Sequence, residues 1–390
     1  MRPEVNEEKK NECMGWVWHG LDPQGQQLLS SFTKNPDGVS KLIKTNSVRS
    51  VWSTGTYFIK YNHPVRKFDK LRFMLCPKAK SEYKSLQMLE QKGVESVQVL
   101  GWAKNKSQSI LITKNLDRFT NARSFWFSKA SSEAKLKKAF LSALAKFAEL
   151  LIEKKIRHKD LHLGNLLFNP EMTKFAIVDA YGIGTKKSLS EADKFNIGQI
   201  LGSLRGEIND KEASEFLIES KIVTDLYEAQ LLWTKILQFE AKGIHKRWEN
   251  QSCKIFSESK FCFMHKLKNE TVLIRKSLTG ESLANIEDIS GREEIFHKII
   301  LPIQAAKRTW ELCFITQANR IPGILPVAMK IQQDKAKVEK GHLFYNIDDV
   351  KSGKRIFTKE ELIRRCSISR LPRRLTEQIV SQQPVSATSE

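Results

Sequence analysis

Apolar residues recur along the chain with the two periods that separate helices from strands. Positions 79–92 and 136–151 repeat at three- and four-residue steps, which predicts two amphipathic helices, and a third helix is predicted over 222–242. Shorter apolar runs at 52–61, broken by Gly55, and at 109–113 predict strands. Strands and helices therefore share the first half of the chain, and this indicates the α+β class.

A segment of eight residues, which follows the second of these helices, contains polar groups that phosphoryl transfer requires. His158 to Asn165 read H-K-D-L-H-L-G-N, and Asp179 follows Asn165 by fourteen residues at the end of an apolar run. Transfer from ATP needs one carboxylate to orient the acceptor hydroxyl, and an amide and a second carboxylate to hold magnesium. Asp160, Asn165 and Asp179 supply these groups in the order of a kinase catalytic loop and metal-binding loop.

The residues between Asn165 and Asp179 predict how these two side chains come together. The apolar runs 166–168 and 175–178 flank an Asn169-Pro170 turn, so they predict a hairpin that carries Asn165 and Asp179 to one side. An H-x-D-x-x-x-x-N string also arises by chance in ordinary turns. Its occurrence together with a strand-ending aspartate at this distance favours the kinase-like interpretation.

A lysine and a glutamate precede this loop in the order that a kinase needs. Lys60 lies in the strand 57–60, where it would pair with the α- and β-phosphates, and Glu82 lies on the helix 79–92, where it would position Lys60. The alternative for Glu82 is a surface network with Lys80 and Lys84.

The stretch from about Lys41 to Leu201 resembles the lipopolysaccharide core kinases, which phosphorylate heptose or Kdo sugars. The resemblance rests on Y-F-I-K-Y, P-K-A-K-S-E-Y-K-S-L, H-K-D-L-H-L-G-N-L-L-F and A-I-V-D-A-Y-G. It implies a bilobal protein-kinase-like fold that uses ATP and Mg²⁺. By the same resemblance, residues in three roles are expected: Lys60 and Glu82 for the nucleotide, Asp160 for catalysis, and Asn165 and Asp179 for the metal.

The chain departs from the kinase pattern where a glycine-rich loop would bind phosphate. No G-x-G-x-x-G precedes Lys60, and the first strand pair offers only Asn46, Ser47 and Gly55. Backbone amides in a turn can bind phosphate without that fingerprint, so Asn46 and Ser47 are expected to contact the nucleotide. Lys159 also stands where an arginine usually precedes the catalytic aspartate.

The segment after Asp179 bears on the acceptor. The next helix is predicted from Asp193, so the interval 182–192 is too short for the platform on which protein kinases bind a peptide. A sugar or a small alcohol is therefore the expected acceptor. Asp193 itself is interpreted in two ways, as a brace below the catalytic loop or as a helix N-cap.

The last third of the chain carries a weaker pattern. Residues 306–324 resemble 79–97 at a constant offset of 227, and strands are predicted at 260–264, 271–275 and 342–346. We interpret 245–350 as a degenerate second N-lobe, with Thr309 at the place of Glu82 and Arg275 near that of Lys60. Coincidental α+β patterning is the alternative. The predicted domains are an N-lobe over 1–117, a C-lobe over 118–244, this extension, and a basic, partly disordered tail over 351–390.

Composition and charge point to the partners and the compartment. No run approaches eighteen apolar residues, the first ten residues lack an apolar signal core, and the six cysteines form no C-x-x-C pair. These features predict a cytoplasmic protein without a transmembrane segment. The formal charge of +21 favours an anionic glycolipid acceptor and peripheral contact with the inner face of the cytoplasmic membrane. Nucleic acid is not an expected partner, since no nucleic-acid motif occurs.

Three functions are consistent with the sequence. The first is transfer of the γ-phosphate of ATP to a sugar hydroxyl of a lipopolysaccharide core, either heptose or Kdo. The second is a small-molecule phosphotransferase of the aminoglycoside or choline kinase type, which an acidic acceptor pocket would favour. The third is a pseudokinase scaffold without catalysis, which the missing glycine-rich loop would favour. The basic tail adds one open question, because its apolar and arginine residues suit either a membrane-surface helix or a solvated terminal helix.

Overall fold

The computed structural model describes residues 11–13, 15–267, 269–276, 296–321, 323–333, 339–346 and 357–381. The chain divides into two compact units. The first contains residues 1–203 and 216–225, and the second contains residues 204–215 and 226–390. The lobe boundaries expected at 117 and 244 remain predictions.

A seven-stranded antiparallel sheet forms the first part of the first unit, in the order β1-β2-β6-β7-β5-β4-β3. The strands predicted at 52–61 and 109–113 are confirmed as the pair β4 and β5 and as β7. The seven strands are β1 (Asn11–Cys13), β2 (Trp16–His19), β3 (Lys41–Thr45), β4 (Arg49–Ser53), β5 (Tyr57–Asn62), β6 (Val99–Asn105) and β7 (Gln108–Lys114).

Four helices accompany this sheet: α1 (Pro23–Lys34), α2 (Pro36–Val39), α3 (Lys67–Leu75) and α4 (Lys78–Gln91). Helix α1 begins at the N-cap Asp22, whose side chain accepts a hydrogen bond from the Gly25 amide at 2.7 Å. Leu29 and Phe32 of this helix join Ile59 of β5 in one buried cluster. The predicted helix over 79–92 is confirmed as α4.

The catalytic part of the first unit packs around a long helix. Its elements are β8 (Thr120–Asn121), α5 (Ala122–Ser128), α6 (Ala134–Glu153), β9 (Ile156–Arg157), β10 (Leu166–Asn169), β11 (Lys174–Ile177), β12 (Gly184–Thr185) and α7 (Glu191–Gly198). Strands β10 and β11 pair antiparallel, which confirms the predicted hairpin. Phe140 of α6 lies 4.9 Å from Phe168 and 5.0 Å from Phe175, measured between ring centroids. These rings fix the hairpin against α6, and the apolar stripe predicted on that helix faces the core.

The second unit contains a five-stranded antiparallel sheet in the order β13-β14-β16-β17-β15. Its elements are α9 (Leu226–Glu249), β13 (Cys262–Leu267), β14 (Glu270–Arg275), β15 (Phe296–Pro302), α10 (Ile303–Ala318), β16 (Pro326–Gln333), β17 (Glu339–Asn346), α11 (Lys359–Ile368) and α12 (Arg373–Ser381). Helix α8 (Asp210–Glu219) has residues in both units. The helix predicted over 222–242 exists as α9, although it begins and ends later.

The two sheets share an order of elements along the chain but not an order of strands. In both sheets the strand before the helix pairs with the second strand after it, β5 with β7 and β15 with β17. The sheets differ one strand earlier, because β4 pairs with β5 whereas β14 pairs with β16. The Arg275 guanidinium hydrogen-bonds Gln317 and lies 4.0 Å from the centroid of the Phe314 ring. Gln317 lies about two helical turns beyond Thr309. Arg275 therefore contacts α10 at Gln317, whereas the sequence comparison had matched Thr309 to Glu82.

The tail helices turn their apolar side chains inward. One cluster contains Ile321, Phe357, Leu362, Cys366, Leu375 and Ile379. The buried guanidinium of Arg365 lies 4.0 Å from the centroid of the Phe357 ring. In the described part of the tail the apolar side chains of this cluster are thus covered, whereas Ile363 is 45% exposed. Residues 351–356 and 382–390, which include the segment 384–390 predicted to be disordered, lie outside the described residues.

Candidate active site

A buried ion pair joins the strand lysine to the helix glutamate. The Lys60 ammonium on β5 donates to a Glu82 carboxylate oxygen on α4 and, at 2.8 Å, to the Val178 carbonyl. The side chains of Lys60 and Glu82 are only 7% and 2% exposed. The structure thus brings these residues together as the sequence predicted, and it excludes the alternative that Glu82 belongs to a surface network.

Arg49 joins this pair to the predicted metal ligand, and the sequence analysis missed it. Its Nη2 lies 3.0 Å from Glu82 Oε2, and its Nη1 lies 3.4 Å from Asp179 Oδ2. Two cations and two carboxylates therefore form one cluster. Strand register is the signal that could have found Arg49. Val51 pairs with Lys60 across the two strands, and Arg49, two residues earlier, lies on the same face of the sheet.

The cluster determines the charge of Asp179. Burial on its own raises the pKa of this carboxyl, but Lys60 and Arg49 outweigh that effect and hold the pKa below its usual value. The Tyr181 amide also donates to Asp179 Oδ1 at 3.4 Å. Asp179 is therefore ionised at neutral pH, as a metal ligand must be.

Backbone and side-chain hydrogen bonds order the catalytic loop. The Asn165 side-chain amide donates to the Asp160 carbonyl at 2.9 Å, and the Asp160 amide donates to His158 Nδ1 at 3.2 Å. The Val178 amide donates to the Asn165 carbonyl at 3.0 Å, which joins the loop to the residue before Asp179. The Asp160 carboxylate itself is 78% exposed. The loop backbone is thus fixed while its carboxylate stays accessible to an acceptor.

Two histidines stabilise the backbone of this loop by hydrogen bonds. Burial lowers the pKa of His158 to about 4, so its imidazole is neutral, with the proton on Nε2 because Nδ1 accepts a hydrogen bond. His162 Nδ1 accepts a hydrogen bond from the Gly164 amide at 3.0 Å. These contacts match the ordering role that is usual for a histidine in such a loop.

The residues present fit a magnesium ion held together with phosphates. The Asn165 side-chain nitrogen donates to the Asp160 carbonyl, so Oδ1 is the atom of this side chain that could bind a cation. Asp179 adds carboxylate oxygens to this donor set. Mg²⁺ prefers oxygen ligands and usually binds through one or two protein groups with phosphates and water completing the shell. In the described part of the chain there is no group of three His, Cys, Asp or Glu side chains that could hold a metal ion.

The turn between β3 and β4 stands where a glycine-rich loop would lie. Asn46 Oδ1 accepts hydrogen bonds from the Val48 and Arg49 amides, both at 2.9 Å. Its side chain thus closes the turn, and those two amides are engaged within it. Ser47 is exposed at the tip. Contact between the nucleotide and Asn46 or Ser47 stays a prediction, and Arg49 places a positive charge at the end of the same turn.

Asp193 stabilises the start of α7. It occupies the third position of that helix in a capping box with the N-cap Ser190, and its carboxylate also accepts a hydrogen bond from Lys186 Nζ at 2.6 Å. Lys186 and Ser190 lower its pKa to about 2. Asp193 is therefore a capping residue, although the N-cap position itself belongs to Ser190.

The strand lysine, the helix glutamate, the catalytic loop and the metal ligands follow one another in a single stretch of chain. Residues 56–217 match the Lipopolysaccharide kinase (Kdo/WaaP) family. This match confirms the resemblance inferred from the sequence and supports a kinase, that is, a phosphotransferase. The kinase match begins at β5, so it includes Lys60 and Glu82, whereas Asn46, Ser47 and Arg49 precede it.

Other comparisons add little to the kinase match. No curated protein sequence matches the chain. One solved structure, a crystal structure of a kinase domain, is similar over 48% of this chain and 75% of that chain, at 11% identity and a TM-score of 0.31. A likeness this weak adds nothing to the geometry of the site.

Proposed function

We propose that the protein transfers the γ-phosphate of ATP to a sugar hydroxyl of a lipopolysaccharide core, either heptose or Kdo. The observation that carries the proposal is the charge cluster in which Arg49 and Asp179 adjoin the buried pair of Lys60 and Glu82, next to the ordered loop with Asp160. The family match over residues 56–217 supports a kinase in general. The sugar acceptor is the further step proposed here.

Each residue has a separate task in this proposal. Lys60, held by Glu82, binds the α- and β-phosphates. Asn165 and Asp179 would hold magnesium, which would neutralise negative charge on the phosphates. Asp160 accepts the proton of the acceptor hydroxyl and orients the hydroxyl toward the γ-phosphate. Since the Asp160 amide and carbonyl are both hydrogen-bonded, the loop backbone does not have to become ordered when the acceptor binds.

Charge supports an anionic acceptor at the inner face of the cytoplasmic membrane. The chain carries a formal charge of +21, and exposed basic residues lie close to the catalytic loop, among them Lys154 and Lys155. Such an excess attracts phosphorylated glycolipids and anionic lipid surfaces. Within the described residues, no helix has the length and the apolar run needed to cross a membrane. The proposed contact with the membrane is peripheral.

The test measures transfer of labelled γ-phosphate from ATP and Mg²⁺ to purified lipopolysaccharide core. Asp160→Asn should lower the transfer rate about 10²- to 10⁴-fold, the usual contribution of a positioned general base, while ATP binding persists. Asp37→Asn, which removes an exposed carboxylate on α2, is the matched control and should transfer at the wild-type rate.

Two results would redirect the proposal. Transfer to aminoglycosides or choline, but not to the core sugar, would establish the small-molecule alternative. Binding of ATP without transfer to any acceptor, equal in wild type and Asp160→Asn, would establish a scaffold without catalysis.

A further inference from the structure

Helix α3 exposes an apolar face beside the cleft. It lies in sequence between β5, which carries Lys60, and α4, which carries Glu82. Phe73 is buried and anchors the helix to the first unit. On the same helix Phe68, Leu71, Met74 and Leu75 are 78%, 55%, 48% and 72% exposed. Val65, just before the helix, is exposed as well.

Helical geometry gathers these side chains on one side. At about 100° per residue, Phe68, Leu71, Met74 and Leu75 fall within an arc of roughly 120° that is opposite Phe73. An ordinary surface helix turns its apolar stripe to the core and its polar residues to water. Helix α3 has the reverse orientation, and a contiguous exposed apolar patch of this kind marks an interaction site.

Basic side chains lie on this face and beside it. Arg66, Lys67, Lys70 and Arg72 are all exposed, and Asp69 is the one acidic residue of the helix. A protein partner would need an apolar centre with acidic residues around it to match this pattern. An anionic lipid surface offers both at once, since apolar side chains enter the acyl boundary while lysine and arginine pair with headgroup phosphates.

We propose that α3 docks the protein on an anionic lipid bilayer. This inference rests on the proposed function and deepens it, because it names the surface that brings the cleft to a lipid-linked acceptor. The buried side of α3, opposite its apolar exposed face, adjoins the site through Lys78, the first residue of α4. Its ammonium lies 4.7 Å from the Phe73 ring centroid and 5.6 Å from that of Tyr181, which follows the metal ligand Asp179 by two residues.

Vesicle co-sedimentation without nucleotide tests the docking surface. The wild type should bind phosphatidylcholine vesicles that contain phosphatidylglycerol more tightly than vesicles of phosphatidylcholine alone. Each basic residue near an anionic surface contributes about a fivefold factor in partition, so Lys67→Glu/Lys70→Glu should weaken binding by about 25-fold or more. Phe68→Ser/Leu71→Ser/Leu75→Ser should lower binding to both kinds of vesicle. All five substituted positions are exposed, so the variants should keep the fold.

Two control variants match these changes elsewhere on the surface. Lys135→Glu/Lys138→Glu makes the same change of charge on α6, and Leu226→Ser/Tyr227→Ser/Leu231→Ser removes three exposed apolar residues of α9. Both should bind vesicles nearly as the wild type does. The docking proposal is overturned if the wild type does not bind anionic vesicles, if the α3 variants bind like the wild type, or if the controls lose as much.

A second readout separates this proposal from the proposed function. The α3 variants should phosphorylate a lipid-free core oligosaccharide at the wild-type rate but lose transfer to lipopolysaccharide embedded in vesicles. If the wild type binds vesicles through α3 but phosphorylates neither acceptor, docking stands and the sugar-kinase proposal fails. If the α3 variants transfer equally well to both acceptors, α3 does not present the cleft to lipid.

Discussion

Replacement of Glu82 by glutamine should open the active-site cluster, because this one carboxylate balances two cations. Glu82 is 2% exposed and contacts both Lys60 and Arg49. With glutamine in its place, Lys60 still donates to the Val178 carbonyl at 2.8 Å and Arg49 still lies 3.4 Å from Asp179, but the Glu82 charge that balances both cations is gone. Removing one partner of a buried ion pair typically costs about 3–5 kcal/mol. We expect a value near the lower limit, about 3 kcal/mol, because Asp179 still neutralises part of the charge.

A double-mutant cycle sharpens this expectation. In Arg49→Met/Glu82→Gln one cation leaves with the carboxylate, so Lys60 and Asp179 remain as a neutral pair. The double variant should therefore be more stable than the sum of the two single changes predicts, with a coupling of about 1–2 kcal/mol, as is usual for residues in one network. Arg49→Met alone should cost less than Glu82→Gln, because the Asp179 side chain that loses this contact is 36% exposed and the charge of Lys60 still stabilises it.

Hydrogen exchange of the β5 amides is the suitable assay. The chain has two compact units, so a single global unfolding free energy is not well defined, whereas exchange protection of β5 reports local opening around Lys60. Ser81→Ala, an exposed position on the same helix, is the control and should leave β5 protection unchanged. Protection in Glu82→Gln within about 1 kcal/mol of the wild type, or additive effects in the cycle, would refute the idea that these charges act as one cluster.

Two pH dependences follow from the same region. Burial lowers the pKa of His158 from 6.5 to about 4, so the folded state binds fewer protons than the unfolded state between these pH values. The free energy of unfolding should therefore fall by about 3 kcal/mol as the pH drops from 6.5 to 4. His158→Asn should flatten this decline in β10 exchange protection, and an equally steep decline in the variant would contradict the assignment. Asp179 has a folded pKa below 3.8, so its stabilisation is present above that pH and is lost as the pH falls further. The difference in stability between wild type and Asp179→Asn should therefore stay constant above pH 3.8, and a difference that already narrows near neutral pH would show that Lys60 and Arg49 do not hold the carboxylate ionised.

The sequence predicted those parts of the site that depend on local pattern. Lys60 lies in a short β run, Glu82 on a periodic helix, and the Asn165–Asp179 spacing determines a hairpin, so each needs only nearby residues. Arg49 escaped because its role depends on which residue of β4 lies opposite Lys60. Register between strands is decided by the whole sheet and by its turns, and a single strand does not reveal it.

Two other features could not be predicted from the sequence, each for a different reason. The strand order of the second sheet depends on long-range pairing, since β14 pairs with β16, beyond α10, whereas its counterpart β4 pairs with β5, the next strand along the chain. Helix α3 breaks the rule that apolar residues face the core, so pattern alone would have placed Phe68 and Leu71 inside. Such a reversal becomes visible only when the exposure of each side chain is known.

The division of the chain into two units has a consequence for synthesis on the ribosome. Every residue of the first unit has been made once residue 225 is added, whereas residues 204–215, already synthesised, belong to the second unit. Asp210 in this segment accepts a hydrogen bond from Trp233 Nε1 at 2.8 Å and is paired with Arg364. The arginine is made more than 150 residues after the aspartate, and the last helix comes later still. All residues of the first unit can therefore be present in the nascent chain before Arg364, the partner of Asp210 in the segment 204–215, has been synthesised.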